Sequence, residues 1–200
     1  MSGAAALAHP QPWTIAEWLE LNDQGDGNRY ELLEGGLLVS PSPSYEHQYA
    51  ADSILVALRA AAPADLRVVS AVGVELQPGE TGMIPDVVVV RHATGRRSTP
   101  LPVSDVLLVV EVVSPSTRRK DRQIKPAEYA AAGVPAYWRV EMTNFSGLGS
   151  DRLPVLFVYA LDGDEYRLTH RVAAGTSAKL DVPFHLGVDP ADWAESAVGD

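Results

Sequence analysis

The amino-acid sequence predicts an α/β fold of the α+β kind, with a central mixed β-sheet flanked by helices. Helical and extended patterns alternate along the 200 residues, in the order helix, strands, helix, strands, helix, strands. Two segments, 84–90 and 106–113, are apolar almost throughout, which is typical of strands covered on both faces. Apolar residues make up 46% of the chain, which is enough to form a core. We therefore expect a single domain over residues 13–195, preceded by a disordered tail over residues 1–12.

Turn and capping residues divide the N-terminal half into elements. Thr14 and Glu17 have the spacing of a capping box, which predicts the start of a short helix. The pair Gly35-Gly36 lies between two extended patterns and indicates a two-residue hairpin. Pro63 ends the longest helical pattern of the chain. The predicted elements are a helix at 14–21, strands at 29–34 and 37–40, and a helix at 45–62.

The rest of the chain is divided in the same way. Pro78-Gly79 marks a turn between extended segments, and Gly133 followed by Pro135 ends a helical pattern. The predicted elements are strands at 67–69, 72–76, 84–90 and 106–113, a helix at 121–132, a strand at 136–141, and a hairpin formed by 155–161 and 165–171.

Composition excludes several classes of site. The sequence contains no cysteine, which excludes disulfide scaffolds, cysteine-based zinc sites and thiol catalysis. The five histidines are dispersed without zinc-binding spacing. No apolar run reaches 18 residues, so we expect no membrane span. The absence of cysteine and of a signal peptide fits a cytoplasmic location.

The net charge of −10 argues against a protein that coats nucleic acid without regard to sequence. The charge is uneven, however, because residues 91–125 contain eight basic and three acidic residues. Part of this segment can form a local basic face that contacts DNA phosphates, and the alternative is a solvated loop with scattered arginines. The residues predicted to contact DNA are Arg118, Arg119, Lys120 and Arg122.

Two carboxylates lie in apolar surroundings. Asp86 follows Pro85 at the start of the valine-rich segment, and Glu111 interrupts the run at 106–113. Burying a carboxylate is costly unless a cation, a metal or strong donors hold it. Two such carboxylates on neighbouring strands can share a hard divalent ion such as Mg²⁺. The alternative is structural, with Asp86 capping a turn and Glu111 paired with an arginine.

Lys125 is the third candidate. The chain has three lysines against 13 arginines, so a lysine indicates that a compact ammonium is needed. Pro126 suits the first turn of a helix, which places Lys125 at the start of that helix. The alternative is a surface lysine that pairs with Glu128 three residues later.

These residues belong to short strings that follow one another in a defined order and spacing. The strings are Arg29-Tyr30-Glu31-Leu32-Leu33-Glu34-Gly35, His47, Ile84-Pro85-Asp86-Val87-Val88-Val89-Val90, Val109-Val110-Glu111-Val112-Val113-Ser114-Pro115-Ser116-Thr117, Asp121, Lys125, Tyr129 and Gly133-Val134-Pro135-Ala136-Tyr137-Trp138. Together they resemble the Uma-type restriction-endonuclease-like family of the PD-(D/E)XK nuclease superfamily. The resemblance extends over residues 14–166 and implies a restriction-endonuclease-like fold.

The resemblance also implies the chemistry. Asp86 and Glu111 resemble the two acidic motif residues and, with the carbonyl of Val112, would hold Mg²⁺ or Mn²⁺. A bound divalent ion lowers the pKa of water and neutralises phosphoryl charge. The implied activity is cleavage of DNA by an endonuclease that hydrolyses phosphodiester bonds. A homodimer is expected, because a duplex presents two strands.

The sequence departs from the superfamily at one position. A lysine is expected two residues after Glu111, where Val113 stands, and Lys125 matches the helical lysine that replaces it in the Uma-type pattern. Glu31 resembles the additional acidic residue that many such nucleases place beside the metal.

Two other functions remain open. The first is a catalytically silent nuclease fold that binds nucleic acid or protein, favoured by the net charge and by Val113. The second is a metal-dependent enzyme that acts on a small phosphate ester in a closed pocket.

Overall fold

A computed structural model describes residue 9, residues 11–91 and residues 99–195. The helices are α1 (Ile15–Asp23), α2 (Tyr45–Ala61) and α3 (Lys125–Ala131). The strands are β1 (Asn28–Leu33), β2 (Gly36–Pro41), β3 (Leu66–Ser70), β4 (Val74–Gln77), β5 (Thr81–Met83), β6 (Val87–Arg91), β7 (Leu101–Pro102), β8 (Val106–Val113), β9 (Ala136–Glu141), β10 (Val155–Asp162), β11 (Glu165–Ala173), β12 (Ala178–Leu180) and β13 (Leu186–Val188).

The principal sheet has six strands in the order β11-β10-β9-β8-β6-β3. It is mixed, because β8 and β9 are parallel whereas the other neighbours are antiparallel. The two valine-rich strands, β6 and β8, lie side by side at its centre. Helix α2 packs on one face, beside Val87, Val89 and Val110. Helix α3 packs on the other face, where its Tyr129 lies in the same apolar cluster as Val88. The predicted mixed sheet flanked by helices is confirmed.

A second sheet of five strands, in the order β2-β1-β5-β4-β7, lies beside the first. Helix α1 covers it through Trp18, which is fully buried and donates from its indole nitrogen to the carbonyl oxygen of Tyr30 at 2.7 Å. The chain passes from β5 in this sheet to β6 in the principal sheet through residues 84–86. Asp86 therefore lies at the junction of the two sheets.

Several predicted elements are confirmed closely. Thr14 caps α1 in a complete capping box, α2 begins at residue 45, and β8 and β9 have the predicted bounds. The first hairpin differs by one residue, because Leu33 pairs with Gly36 and the loop is Glu34-Gly35. Both loop residues have positive φ angles, which a two-residue turn of this kind requires.

The helix predicted at 121–132 begins differently. Residues Lys120–Ile124 form a π-helix, in which the amide of Lys125 donates to the carbonyl of Lys120. Pro126 has no amide hydrogen and cannot make the next α-helical hydrogen bond to Arg122. Regular helix therefore starts at Lys125, as predicted from Pro126.

Some predictions fall outside the described residues. Most of the disordered tail predicted at residues 1–12 lies outside the described part of the chain. His9 is described, and its ring stacks on Trp13 with centroids 4.0 Å apart. Arg96 and Arg97 of the basic segment also lie outside the described residues. Across the described parts of the chain, no helix is both long enough and apolar enough to cross a bilayer.

Candidate active site

A cavity of about 230 Å³ opens at the junction of the two sheets. Its floor is formed by side chains of β1 and β8 and by Asp86, and its rim by residues 40–44 and 114–117. The first turns of α2 and the π-helix close its sides through His47 and Asp121. Polar side chains from β1, β2, β8, α2, the π-helix, α3 and the connection at residues 84–86 therefore come together in one place.

Asp86 is buried and held from three directions. Its Oδ1 accepts a hydrogen bond from Nη1 of Arg29 at 2.8 Å and lies 3.1 Å from Nε2 of His47. Its Oδ2 accepts from the amide of Val112 at 2.8 Å. Burial alone would raise the pKa of Asp86, but His47, Arg29 and the more distant Lys125 together hold the pKa below its usual range. Asp86 is therefore a fixed, ionised carboxylate.

Glu111 lies on the α3 face of β8 and is buried. Both of its carboxylate oxygens accept from Nζ of Lys125 at 3.0 Å, and Oε1 also accepts from the Tyr129 hydroxyl at 2.6 Å. Burial raises the pKa of Glu111 well above its usual range, and the nearby Asp86 and Asp121 carboxylates raise it further. Lys125 opposes this shift without overcoming it.

The Lys125 ammonium is buried among three carboxylates. Besides Glu111, it lies 2.8 Å from Oε1 of Glu31 and 3.6 Å from Oδ1 of Asp121. Burial would lower the pKa of Lys125, but the surrounding carboxylates raise it well above the usual value, so the ammonium stays protonated. The alternative of a surface lysine paired with Glu128 is wrong, because the side chain points inward.

The cavity is lined by four acidic side chains, those of Glu31, Asp86, Glu111 and Asp121. Asp121 is the one with a buried carboxylate oxygen that accepts no hydrogen bond. The whole residue is buried, and the oxygen without a hydrogen-bond partner among the described residues is Oδ1. Burial raises the pKa of Asp121 to about 6, and Asp86 and Glu31 add to the rise, whereas Lys125 lowers it. The four acids thus face two permanently charged cations, Arg29 and Lys125, so the cluster disfavours simultaneous ionisation of all four acids.

The structure brings all the predicted catalytic and metal-binding residues into this cavity. Asp86, Glu111, Val112, Lys125 and Glu31 all line it. The neighbouring position of β6 and β8 explains how Asp86 and Glu111 meet. Residues 114–124 connect the end of β8 to Lys125. This connection is long enough for the chain to reverse direction, so that Lys125 at the start of α3 contacts Glu111.

The residues predicted to contact DNA divide into two pairs. Arg118 and Arg119 are exposed. Lys120 instead donates to the carbonyl of Val39 and to Oγ of Ser40, at 3.1 and 2.9 Å. Arg122 donates twice to the buried carboxylate of Glu141, at 2.8 and 2.7 Å. The second pair therefore holds the π-helix in place, and the predicted basic face narrows to Arg118 and Arg119.

Sequence reasoning did not assign Arg29, His47, Asp121 or Tyr129 to the site, although all four belong to the strings that carry the family resemblance. Two of these residues left a signal in the spacing. Arg29 and Glu31 are two residues apart on one strand and so share a face. Asp121 and Lys125 are four residues apart on helical backbone and so lie together. The position of His47 on α2 gave no comparable signal, because its partner Asp86 is distant in sequence.

The donor chemistry fits a hard divalent cation. Across the described residues, no three His, Asp or Glu side chains form a complete ion cage, since Lys125 lies between the acids. Mg²⁺ does not require such a cage, because it keeps several waters and binds through one or two carboxylates. Oδ1 of Asp121 is buried and accepts no hydrogen bond from the described residues, and the pKa values of Glu111 and Asp121 are raised, which a bound cation would oppose; both observations are consistent with an additional cation.

Comparison with known proteins identifies a family and a related fold. A family model described as "Uma2: Putative restriction endonuclease" matches residues 15–191. A solved structure from Anabaena variabilis ATCC 29413, described as "a putative nuclease belonging to DUF820", superposes with a TM-score of 0.64 at 14% sequence identity. The superposition covers 91% of this chain and 97% of that one, which shows a common fold. No match is found among curated proteins.

Proposed function

Since the chain belongs to the Uma2 restriction-endonuclease family, we propose that it is an endonuclease that hydrolyses DNA phosphodiester bonds with Mg²⁺ or Mn²⁺. One observation carries the proposal: two carboxylates and an ammonium, contributed by different elements, converge in a single cavity. Asp86, Glu111 and Lys125 have no comparable reason to meet in a purely structural cluster, because burying so many charges is costly.

Asp86 and Glu111 are the proposed metal ligands, together with the carbonyl oxygen of Val112. The amide of Val112 already points at Asp86. The amide and carbonyl of one strand residue point towards the same neighbouring strand, so this carbonyl faces the same side. When bound, the divalent ion would neutralise phosphoryl charge and acidify a water molecule.

The protein's own groups have distinct proposed roles. Arg29 and His47 keep Asp86 ionised and oriented, and Tyr129 fixes the Glu111 carboxylate through its hydroxyl. Lys125, held protonated, would orient the attacking water and stabilise the developing negative charge. Glu31 would hold Lys125 in position through their 2.8 Å contact.

The overall reaction adds water across one P–O bond. The water oxygen bonds to phosphorus, the bond to the leaving oxygen breaks, and the water proton ends on that oxygen. The pentavalent transition state gains negative charge, which an ammonium in a desolvated site stabilises more strongly than water does.

A cleavage assay with paired calorimetry tests the proposal. Supercoiled DNA and linear oligonucleotides are incubated with purified protein and with Mg²⁺, Mn²⁺ or a chelator. We expect cleavage only with a divalent ion, and a loss of roughly 100-fold or more in Asp86→Asn and Glu111→Gln. Mn²⁺ binding measured by calorimetry should weaken in the same two variants, because each loses a ligand.

Glu165→Gln is the matched control, since it removes an exposed carboxylate on β11, outside the cavity lining. It should cleave and bind Mn²⁺ as the unmodified protein does. Unchanged Mn²⁺ affinity in Asp86→Asn, together with no cleavage by the unmodified protein, would contradict the proposal.

A second candidate function is a silent nuclease fold that binds nucleic acid without cleaving it. The contacts of Lys125 favour it, because the ammonium already neutralises part of the charge of Glu31 and Glu111. Metal-independent DNA binding with no cleavage in any divalent ion would support this function instead. In either case, we propose DNA as the partner and a homodimer as the assembly.

A further inference from the structure

Two tyrosine rings stand exposed on the first two turns of α2. Tyr45 and Tyr49 are 62% and 37% exposed, and their ring centroids lie 6.2 Å apart at an angle of 33°. They are four residues apart, so both lie on one side of the helix. Among the described residues, the only hydrogen bond made by either tyrosine side chain runs from the Tyr45 hydroxyl to Oε1 of Glu195, at 3.4 Å.

The two rings line a cavity of about 600 Å³ that adjoins the candidate active site. This volume lies within the ~300–1,000 Å³ range of small-molecule sites. Its lining shares four residues with the active-site cavity, so the two cavities lie next to each other. The shared residues are Ser44, His47, Ser114 and Pro115.

The charge of this second cavity makes a phosphate an unfavourable occupant. Its charged lining residues are Glu46 and Glu195, and no lysine or arginine is among the described residues that line it. A nucleobase is neutral and has two aromatic faces. Stacking of a base on an aromatic side chain is attractive whatever the sequence, and it does not depend on positive charge. In a protein of net charge −10, stacking would compensate for weak phosphate attraction.

Resting on the function proposed above, we propose that Tyr45 and Tyr49 form a stacking platform for an unpaired base next to the cleaved phosphate. The class of substrate is therefore a DNA strand with an unstacked base at that position, either single-stranded or flipped out of a duplex. A base held within a perfect duplex would leave both rings unused, because its faces are already covered by its neighbours.

Fluorescence of 2-aminopurine tests this directly, because stacking on an aromatic ring quenches it. Single-stranded oligonucleotides carrying 2-aminopurine at successive positions are titrated with protein in chelator, where no cleavage occurs. We expect quenching at one or two positions. The quenching should be lost, and affinity should fall by at least about fivefold, in Tyr45→Ala and Tyr49→Ala. Tyr45→Phe and Tyr49→Phe, which keep the ring, should retain both.

Val56→Ala is the matched control, since Val56 is exposed on the same helix but does not line this cavity. An abasic nucleotide at the quenched position supplies a second test that needs no protein variant. It should weaken binding of the unmodified protein, and it should add little to the loss in Tyr49→Ala.

The outcomes separate the two proposals. If divalent-dependent cleavage holds but the tyrosine variants bind and quench normally, the platform is wrong and the nuclease function stands. If the unmodified protein neither binds nor cleaves DNA, both proposals are wrong. If Tyr49→Ala converts a dimer to a monomer by light scattering and leaves quenching unchanged, the rings form a subunit interface and the platform is wrong.

Discussion

Asp121 lines the candidate active site, but its ionised carboxylate lowers the free energy of unfolding because it is buried. Its buried carboxylate lacks a hydrogen bond at Oδ1, and its pKa rises from 3.8 to about 6 in the folded state. The folded protein therefore binds more protons than the unfolded chain between these two pH values. Stability from this group is present below pH 4 and is lost as the pH rises through about 6.

Asp121→Asn should stabilise the metal-free protein at pH 7, since it removes a buried charge and keeps the shape. We expect a gain of about 1–3 kcal/mol, given that one pKa unit is worth ~1.4 kcal/mol. The gain should shrink towards zero as the pH falls to 4, where Asp121 is protonated. Denaturant titrations from pH 4 to 8 in chelator measure it, and exposed Glu165→Gln should show no such pH dependence. A constant difference across this range would contradict the assignment.

Site residues could be predicted from the sequence where a charged residue stands among apolar neighbours. Glu111 inside an apolar strand is visible without any structure, and so is Asp86 beside a run of valines. The partners of Asp86 are harder to predict. Arg29 and His47 are polar residues in polar surroundings, so nothing in the neighbouring sequence marks them. Each reaches the site only because β1 and α2 meet there, and this depends on tertiary packing.

Among the elements, the contact between α1 and the second sheet depends on a glycine that lies directly against Trp18. A Cβ atom added to Gly82 of β5 would lie 2.4 Å from the Trp18 ring, which is fully buried. A rigid ring in a packed site has little room to move. The absence of a side chain at residue 82 therefore allows α1 to approach the strand.

Gly82→Ala should destabilise the protein by about 1–3 kcal/mol, the usual cost of overpacking a core. Denaturant unfolding followed by tryptophan fluorescence measures it, since Trp18 reports on this contact. Gly187→Ala on β13 is the matched control, because nothing lies within 4 Å of the added atom. It should change stability by a few tenths of a kcal/mol at most. Equal effects of the two substitutions would show that packing on Trp18 is not the cause.

Long elements were predicted well, and the shortest ones were not. Helix α2 buries one face, so its apolar pattern repeats along the helix, and strand β8 is buried on both faces, so its apolar run is almost unbroken. Strands β5 and β7 have three and two residues, which is too short for any pattern, and tertiary pairing alone defines them. The second sheet was therefore missed as a separate sheet, although its strands β1, β2 and β4 were predicted to within two residues at each end.

In the whole molecule, the fold class followed from two central strands. Strands that are apolar on both faces need another element packed on each face of the sheet. The helical patterns that precede and follow these strands along the chain provide those elements. The sequence did not show how the second sheet packs beside the first. This packing places β1 and β2 opposite Asp86 and Glu111, so that these carboxylates line a cavity. This arrangement depends on the short connection at residues 84–86, which carries Asp86.

The balance of charge over the molecule predicts a weak dependence of DNA binding on salt. Arg118 and Arg119 are the exposed members of the basic cluster, whereas Lys120 and Arg122 are engaged within the fold. Each phosphate contact contributes about 0.9 to the slope of log K against log salt for a duplex. The double variant Arg118→Ala/Arg119→Ala should therefore reduce the magnitude of this slope by about 1–2 without loss of thermal stability.

Arg122→Ala is the informative contrast, because it removes the same charge from the same segment. It should leave the salt slope unchanged and lower stability by about 1.5–3 kcal/mol, since the buried Glu141 carboxylate loses two charged hydrogen bonds. Filter binding in chelator across a salt series gives the slope, and denaturant titration gives the stability. A slope that falls equally in Arg122→Ala and in the Arg118/Arg119 variant would mean that Arg122 leaves Glu141 to contact DNA, and the basic face would then include it.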